Sequence, residues 1–237
     1  MKIQHTDCTL KRIYHRATLG FKLAKYTGNH EIFQIPPEVI AIGGGAFANH
    51  TALREVLFPP DLITIGESAF SGCANLASVR LPDRITEIRK NTFENCSGLT
   101  SIDLPRNLQV INHGAFLNCT RLKRILIPRQ VKLIYGMKNH CRLTYRSSVG
   151  ASGNGSCATV SGCGSQGRRT YIKSKHIVQA SAFENCEQLT ELYFCGEPPC
   201  LEGELLLPPS AVIYCPGPFL AQFQTSFQQY HCQAMDG

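Results

Sequence analysis

Apolar residues recur with a period of 23 along the first half of the chain. Each 23-residue unit opens on proline and carries phenylalanine eleven positions later; these residues are Pro36, Pro59, Pro82, Pro105 and Pro128, with Phe47, Phe70, Phe93 and Phe116. Isoleucine recurs six positions after the proline, and leucine seventeen positions after it. A fixed period in this range is typical of solenoids, in which each coil buries its apolar face against its neighbours. The pattern therefore predicts a mainly β solenoid of about six coils.

The second half of each unit predicts a short strand. In Leu76–Leu81, for example, apolar and polar residues alternate, as in a half-buried strand. Stacked coils place such strands side by side in a parallel sheet, about 4.8 Å apart. The proline that follows lacks an N–H group, so it ends the strand. Strands are expected within residues 53–58, 76–81, 99–104, 122–127 and 189–194, with short helical turns between them.

Three successive units read IGESAFSGCANLASVRLP, IRKNTFENCSGLTSIDLP and INHGAFLNCTRLKRILIP. Several positions keep their phase through every copy, and in this the chain resembles the BspA-like leucine-rich repeat family. The resemblance implies a curved β-solenoid with a non-enzymatic binding role, often at the cell surface of bacteria and protozoa.

The repeat phase predicts four parts of the chain. Residues 1–35 resemble the family's degenerate first repeat and are expected to form an N-terminal cap, whereas residues 36–134 hold the regular repeats. The next phenylalanine in phase after Phe116 is Phe183; 183 minus 116 is 67, and subtracting the period of 23 leaves an insertion of 44. Most of the insertion lies within residues 135–177, which are rich in Gly and Ser, a composition that predicts disorder.

Residues 178–237 predict a last repeat and a C-terminal cap. Aromatic residues recur there at helical spacing, which predicts a capping helix; they are Phe219, Phe223, Phe227 and Tyr230. Because a terminal coil has an apolar face to cover, this helix is interpreted as a lid over the last coil rather than as a ligand site.

Cysteine recurs fourteen positions after the proline, at Cys73, Cys96 and Cys119, and again at Cys186. A residue repeated at one coil position indicates core packing, since buried Cys behaves as a small hydrophobe. The tripeptides that begin at Asn95 and Asn118 match the glycosylation pattern only because the turn itself recurs.

Other candidate sites are weak. Cys141, Cys157, Cys163 and His176 lack the close pair typical of structural zinc sites. The segment 162–167 matches GxGxxG but lacks the strand and helix that a dinucleotide site needs. Cys195 and Cys200 are interpreted as turn residues. The sequence therefore predicts no enzyme, no metal site and no cofactor.

The net charge of +7 is concentrated in the insertion, which has no Asp or Glu. Its basic residues are Lys138, Arg142, Arg146, Arg168, Arg169, Lys173 and Lys175. From 106 to 175 there are 13 basic residues and no acidic one, so the alternative function is binding of a polyanion such as nucleic acid, anionic lipid or acidic glycan. A solvated loop, or a segment foreign to the fold, fits the composition of the insertion as well.

The favoured function is protein binding through the exposed strand positions, because solenoids usually meet partners there. These positions carry both charges and some apolar side chains, which suits a protein better than a polyanion; they are Glu55, Leu57, Ser78, Arg80, Ser101, Asp103, Arg124, Leu126, Glu191 and Tyr193. The first residues do not resemble a secretory signal peptide, which favours the cytoplasm, whereas the family resemblance favours the cell surface.

Overall fold

The computed structural model describes residues 2–5, 7–15, 18–135, 138–140, 177–179 and 181–235. The chain divides into two compact units, residues 1–138 with 179–237, and residues 139–178. The first unit is a β-solenoid, as the repeat period predicts, and it has about seven turns. The excess over the six expected coils comes from the C-terminal turns, which lack the repeat's sequence signature.

One long side of each coil contributes a short strand to a stack of parallel strands, here called the front sheet. Before the insertion, its strands recur once per sequence period. They are β4 (Ile32–Gln34), β6 (Glu55–Leu57), β8 (Ser78–Arg80), β10 (Ser101–Asp103), β12 (Arg124–Ile127), β16 (Glu191–Phe194), β18 (Val212–Pro216) and β19 (His231–Met235). The predicted strands are confirmed, each shorter than its expected range.

The opposite side forms the back sheet, which begins with a nine-residue strand and continues in shorter strands that each follow a proline. They are β3 (Thr18–Tyr26), β5 (Val39–Ile42), β7 (Thr64–Ile65), β9 (Glu87–Ile88), β11 (Val110–Ile111), β13 (Leu133–Tyr135) and β17 (Cys200–Glu202). Parallel register sets Ile111 beside Ile88 on one side and beside Ile134 on the other. The recurrent isoleucine of each unit therefore lies in this sheet and faces the core, where Ile88, Ile111 and Ile134 are buried.

Stacked phenylalanine rings fill the space between the two sheets. Ring centroids of successive coils lie 4.9 to 5.8 Å apart, and the angles between successive ring planes are 5° to 9°. Phe116 stacks on Phe183 at 5.5 Å, and the backbone N–H of Phe116 donates to the carbonyl of Ala182 at 2.9 Å. The coil after the insertion therefore continues the stack in phase, although the whole insertion separates the two rings in sequence.

The turn after each phenylalanine contains an Asn or Gly residue in the left-handed conformation, which these two residue types adopt more readily than others. The backbone angle φ is 58° at Asn95, 59° at Asn118 and 59° at Asn185. Their side chains form a ladder, since the amide of Asn118 donates to Oδ1 of Asn95 at 2.6 Å and that of Asn185 donates to Oδ1 of Asn118 at 2.8 Å.

The N-terminal end of the back sheet is covered by an antiparallel ribbon. Strands β1 (Lys2–His5) and β2 (Cys8–His15) pair antiparallel, and β2 pairs antiparallel with β3. Tyr26, the last residue of β3, is fully buried, and its ring lies 4.5 Å from the ring of Phe33 and 5.0 Å from that of Phe47. It therefore closes the first end of the phenylalanine stack.

The C-terminal end carries a short helix, α1 (Leu220–Ser226), preceded by a 3₁₀ turn, Gly217–Phe219. Phe223 of the helix is fully buried, and its ring lies 5.0 Å from that of Phe194. The capping helix is thus present. It is shorter than the aromatic spacing predicts, because the chain leaves the helix before Tyr230 and returns to the front sheet as β19.

Two short strands lie at the base of the insertion. They are β14 (Lys138–His140) and β15 (Ile177–Gln179), which pair with each other. The rest of the insertion, for which the composition predicts disorder, lies outside the described residues.

Candidate functional site

The front sheet exposes two rows of side chains. Each of its strands β6, β8 and β10 has the burial order exposed, buried, exposed, and parallel register places equivalent residues beside one another. Thus Arg80 lies opposite Asp103, and Leu126 lies opposite Tyr193. All ten residues predicted for partner binding belong to this face: eight are exposed, whereas Glu191 and Tyr193 are half-buried. Their role in binding stays a prediction.

Two ion pairs cross between neighbouring strands of this face. Nε of Arg80 donates to Oδ2 of Asp103 at 2.9 Å, and Nε of Arg124 lies 3.5 Å from Oε2 of Glu191. The side chains of the first pair are 86% and 62% exposed, so such a pair contributes only about 0–1 kcal/mol to folding. Both arginines are exposed and can contact a partner. Because each arginine has a carboxylate beside it, this part of the front face carries no strong net charge.

An aromatic and apolar group occupies the C-terminal half of the same face. The rings of Tyr193 and Tyr214, on the adjacent strands β16 and β18, stack at 4.6 Å with an angle of 11°. Leu126 is 55% exposed on the next strand, opposite Tyr193. We call Leu126, Tyr193 and Tyr214 the tyrosine patch.

Glu191 orients the patch. The hydroxyl of Tyr193 donates to Oε2 of Glu191 at 3.2 Å. Desolvation raises the pKa of Tyr193, and the hydrogen bond and negative charge of Glu191 raise it further. The hydroxyl is therefore a protonated donor at neutral pH. Tyrosine and arginine around a partly apolar centre is the composition typical of energetic hot spots in protein interfaces.

Tyr214 was not predicted as a residue of the binding face, because the last coils are shorter than the 23-residue period. Strands β18 and β19 each follow the preceding front strand by less than one period, so counting by the period does not reach Tyr214. The β-branched and aromatic residues of Ala211–Cys215 nevertheless indicate a strand. Continuing the alternation of Tyr193 onto that strand would have identified Tyr214 as an outward-facing position.

The recurrent cysteines have a structural role. Each thiol donates to the carbonyl of the phenylalanine in the preceding coil, at 3.0 to 3.2 Å, for instance Cys96 to Phe70. Burial raises the pKa of Cys73 and of Cys186 to about 12. These thiols are therefore protonated at neutral pH and cannot act as nucleophiles.

The polyanion alternative is only partly within the described residues. Of its seven predicted residues, Lys138 lies in β14, and Arg142, Arg146, Arg168, Arg169, Lys173 and Lys175 lie outside the described residues. The zinc candidates Cys141, Cys157, Cys163 and His176 and the segment 162–167 lie outside them too. Within the parts that the structure describes, no group of three or more His, Cys, Asp or Glu side chains could hold a metal ion.

The family model described as "BspA type Leucine rich repeat region" matches residues 18–140 in six copies. The chain belongs to the BspA-type leucine-rich repeat family. The repeats read from the sequence are therefore those of the family, and the resemblance stated from the motifs is confirmed. No curated protein matches the chain.

Solved structures of two bacterial leucine-rich repeat proteins share the fold of this BspA-type chain. The T. pallidum protein TpLRR is 21% identical, with 95% of each chain covered and a TM-score of 0.58. A Bacteroides ovatus protein is 22% identical with a TM-score of 0.52, and the match covers 90% of this chain and 55% of that protein. Among the described residues, no helix is long and apolar enough to cross a membrane.

Proposed function

We propose that this BspA-type repeat chain is a non-enzymatic protein-binding module, and that its partner docks on the front face over the tyrosine patch. The observation that supports the proposal most strongly is the stacked pair Tyr193 and Tyr214 beside exposed Leu126. Single exposed apolar residues are ordinary on a protein surface, but three on adjacent strands in one row form a continuous apolar strip. Leu126, Tyr193 and Tyr214 do not belong to the core, which the inward-facing side chains of the same strands fill.

The surroundings of the strip fit a protein partner. Arg124 and Glu191 flank the patch as an ion pair, and an adjacent pair, Arg80 with Asp103, extends the polar surface along the sheet. An apolar centre with a mixed-charge rim matches the usual anatomy of protein interfaces. A polyanion would instead require a surface of one sign. Proteins of this family are typically surface-associated, so an adhesion role at a cell surface is the context we propose.

The polyanion function stays the second candidate, carried by the acid-free segment 106–175. Four of its described basic residues lie on either side of strand β12: Arg121 and Lys123 precede the strand, whereas Arg129 and Lys132 follow it. All four are exposed. The four basic residues therefore lie at two separate corners of the coil and do not form one continuous basic surface. This favours protein binding at the front face over polyanion binding.

The test compares two variants of the full chain. The partner is captured from cells of the source organism on the immobilised wild-type chain, purified, and its affinity is measured by surface plasmon resonance. The double substitution Tyr193→Ser with Tyr214→Ser should weaken binding at least 30-fold, since two hot-spot aromatics are lost. The matched control is Tyr14→Ser, which removes an aromatic side chain that is 77% exposed on the N-terminal ribbon.

Thermal melting of both variants shows whether the fold survives. Equal affinity of the double variant and the wild type, with unchanged melting, would refute the front-face proposal. Binding lost only when residues 135–177 are deleted, and only in a salt-sensitive way, would favour the polyanion function.

A further inference from the structure

A row of lysines crosses the three strands of the N-terminal ribbon. Register places Lys2 of β1 opposite Lys11 of β2, and Lys11 opposite Lys22 of β3. Residues directly opposite each other in antiparallel strands lie about 5 Å apart, so the three positions span about 10 Å. In a neighbouring pair of the same two strands β2 and β3, Lys25 lies opposite Thr9.

The lysines occupy the outer face of the ribbon. Opposite residues share a face of the sheet, and the faces alternate along a strand. The pair Leu10 and Leu23 is fully buried in the core, so the pairs on either side of it face outward; the register shift beside Leu10 sets Lys25 on this outer face too. Lys11 and Lys25 are accordingly exposed, and Lys22 is half-buried.

This face carries charge of one sign without a compensating carboxylate. None of the strands β1, β2, β3 and β5 contains Asp or Glu. Among the described residues, Lys11, Lys22 and Lys25 have no side-chain hydrogen bond or ion pair. Like charges directly opposite each other destabilise a sheet, whereas adjacent strands of the front sheet pair opposite charges, as Arg80 does with Asp103. A bound anion would therefore relieve repulsion within the ribbon.

The other side chains of the outer face indicate which kind of anion fits. Those that are described are small or aliphatic, among them Thr9 and Ile13. A single-stranded nucleic acid would require aromatic side chains for base stacking, and a bilayer would require exposed apolar side chains beside the basic ones. Tyr14 and Leu19 are exposed, but their register places them on the opposite face of the ribbon. The outer face therefore offers a ligand mainly charge.

A linear acidic glycan meets this description. Its closely spaced sulfate or carboxylate groups bind basic patches through charge. Protein interfaces, in contrast, are depleted in lysine. Lysine has three donors on a flexible stem, which suits anionic groups of variable orientation, whereas bidentate recognition of one fixed group favours arginine.

We propose that the outer face of the ribbon binds a linear acidic glycan, which runs across the strands along the lysine row and contacts Lys11, Lys22 and Lys25 through its anionic groups. This site lies on the back sheet, whereas the tyrosine patch lies on the front sheet. It is also separate from the acid-free segment 106–175. The three proposals can therefore fail independently.

The probe is a heparin octasaccharide, and its affinity for the full chain is measured by isothermal titration calorimetry. Because about three lysine contacts release bound counterions, the affinity should fall at least tenfold between about 50 and about 200 mM NaCl. Duplex DNA of equal charge and vesicles of phosphatidylserine and phosphatidylcholine are measured in the same way, and both should bind at least tenfold more weakly than the octasaccharide.

A triple variant locates the site. Lys11→Gln, Lys22→Gln and Lys25→Gln together should weaken octasaccharide binding at least tenfold at the lower salt concentration and reduce the salt dependence. The melting temperature should not fall, because a repulsive pair is removed. The matched control also removes three exposed positive charges, outside the front face and outside segment 106–175; it combines Arg84→Gln, Arg89→Gln and Lys90→Gln. It should change the affinity less than twofold.

Lysine acetylation tests the same site in the wild-type chain. Acetylation with and without octasaccharide is quantified by mass spectrometry, and the ligand should slow the reaction at Lys11, Lys22 and Lys25 at least fivefold. Exposed Lys90 should react equally in both samples. This measurement decides the question if the triple variant does not fold.

Four results would overturn the proposal. They are no octasaccharide binding by the wild type, full binding by the folded triple variant, an equal loss in the control variant, and no protection of the ribbon lysines. Tighter binding of the vesicles or of duplex DNA would equally overturn it, in favour of a membrane or a nucleic acid. Protection confined to lysines of segment 106–175 would move the site there.

Discussion

The phenylalanine stack should make Phe93 one of the most sensitive positions in the solenoid. Phe93 is fully buried, and its ring stacks on Phe70 at 5.5 Å and on Phe116 at 5.8 Å. Loss of the side chain in Phe93→Ala removes a buried aromatic ring, worth roughly 1.5–3 kcal/mol by transfer. It also removes two ring pairs of about 0.5–1.5 kcal/mol each.

These contributions add to roughly 2.5–6 kcal/mol, which agrees with the roughly 3–5 kcal/mol typical of Phe→Ala in protein cores. We therefore expect a loss of about 4 kcal/mol in the free energy of unfolding. For a chain of this size, that loss lowers the melting temperature by about 8–16 °C. Urea unfolding followed by circular dichroism measures the free energy, and thermal scans measure the shift.

The matched control is Phe58→Ala. Phe58 is half-buried and meets the stack through one edge contact, with Phe70 at 5.8 Å and 75°. It should cost roughly 1–2 kcal/mol, since it has one ring contact and remains partly in water. Hydrogen exchange should also show that Phe93→Ala weakens the adjacent coils most, because a repeat contacts only its neighbours. A Phe93→Ala loss no larger than that of Phe58→Ala, or one below about 2 kcal/mol and so short of the usual range for buried Phe, would refute the reasoning.

Three further predictions concern the turns, the thiols and the insertion. Asn118→Ala should destabilise the chain by about 1–2 kcal/mol in urea unfolding, because alanine accepts the left-handed conformation less readily than asparagine and two amide hydrogen bonds are lost; Asn118→Gly should cost less, as Gly accepts this conformation. Folded protein at pH 8 should react with a thiol reagent at exposed Cys195 and not at Cys73 or Cys186. The free energy of unfolding should fall as the pH rises from about 9 to about 12, since over this range the unfolded chain loses the thiol protons that the folded chain retains at Cys73 and Cys186. Deletion of residues 135–177, with one short connector kept, should leave a folded, protease-resistant solenoid, because Phe116 stacks directly on Phe183.

A specific result would contradict each of these three predictions. Equal stability of the Ala and Gly variants at position 118 would mean that the left-handed turn carries no strain. Rapid labelling of the buried thiols below the unfolding transition would contradict their protection. An unfolded deletion variant would mean that the insertion supports the core, and a folded one that loses a salt-sensitive affinity for heparin would make the insertion a polyanion site.

The structure of the coil could be predicted from the sequence because its core contacts join equivalent residues of neighbouring repeats. Phe93, for instance, has neighbours one period away on either side, so the period alone places its contacts. The same reasoning found Phe183 after the insertion, since the residues around it keep the spacing of a normal unit. Asn95 and Asn118 could be assigned to left-handed turns because few other residues accept that conformation.

The ends of the array could not be predicted in the same way. Strand β19 follows the capping helix, and its sequence HCQAM shows no repeat signature. The N-terminal ribbon extends the back sheet by antiparallel pairing of β1 and β2, and this pairing does not follow from the repeat period. The bonds of the cysteine thiols to Phe70 and its equivalents likewise depend on the offset between coils, which composition does not reveal.

The central functional claim is that a protein partner rests on the tyrosine patch, and site-specific photo-crosslinking tests it most directly. A benzoylphenylalanine residue placed at Leu126, on the front face, should form a covalent adduct with the purified partner. The same residue at Gln109, which is exposed just before back-sheet strand β11, should form none. Adducts at Gln109 and none at Leu126 would contradict the account.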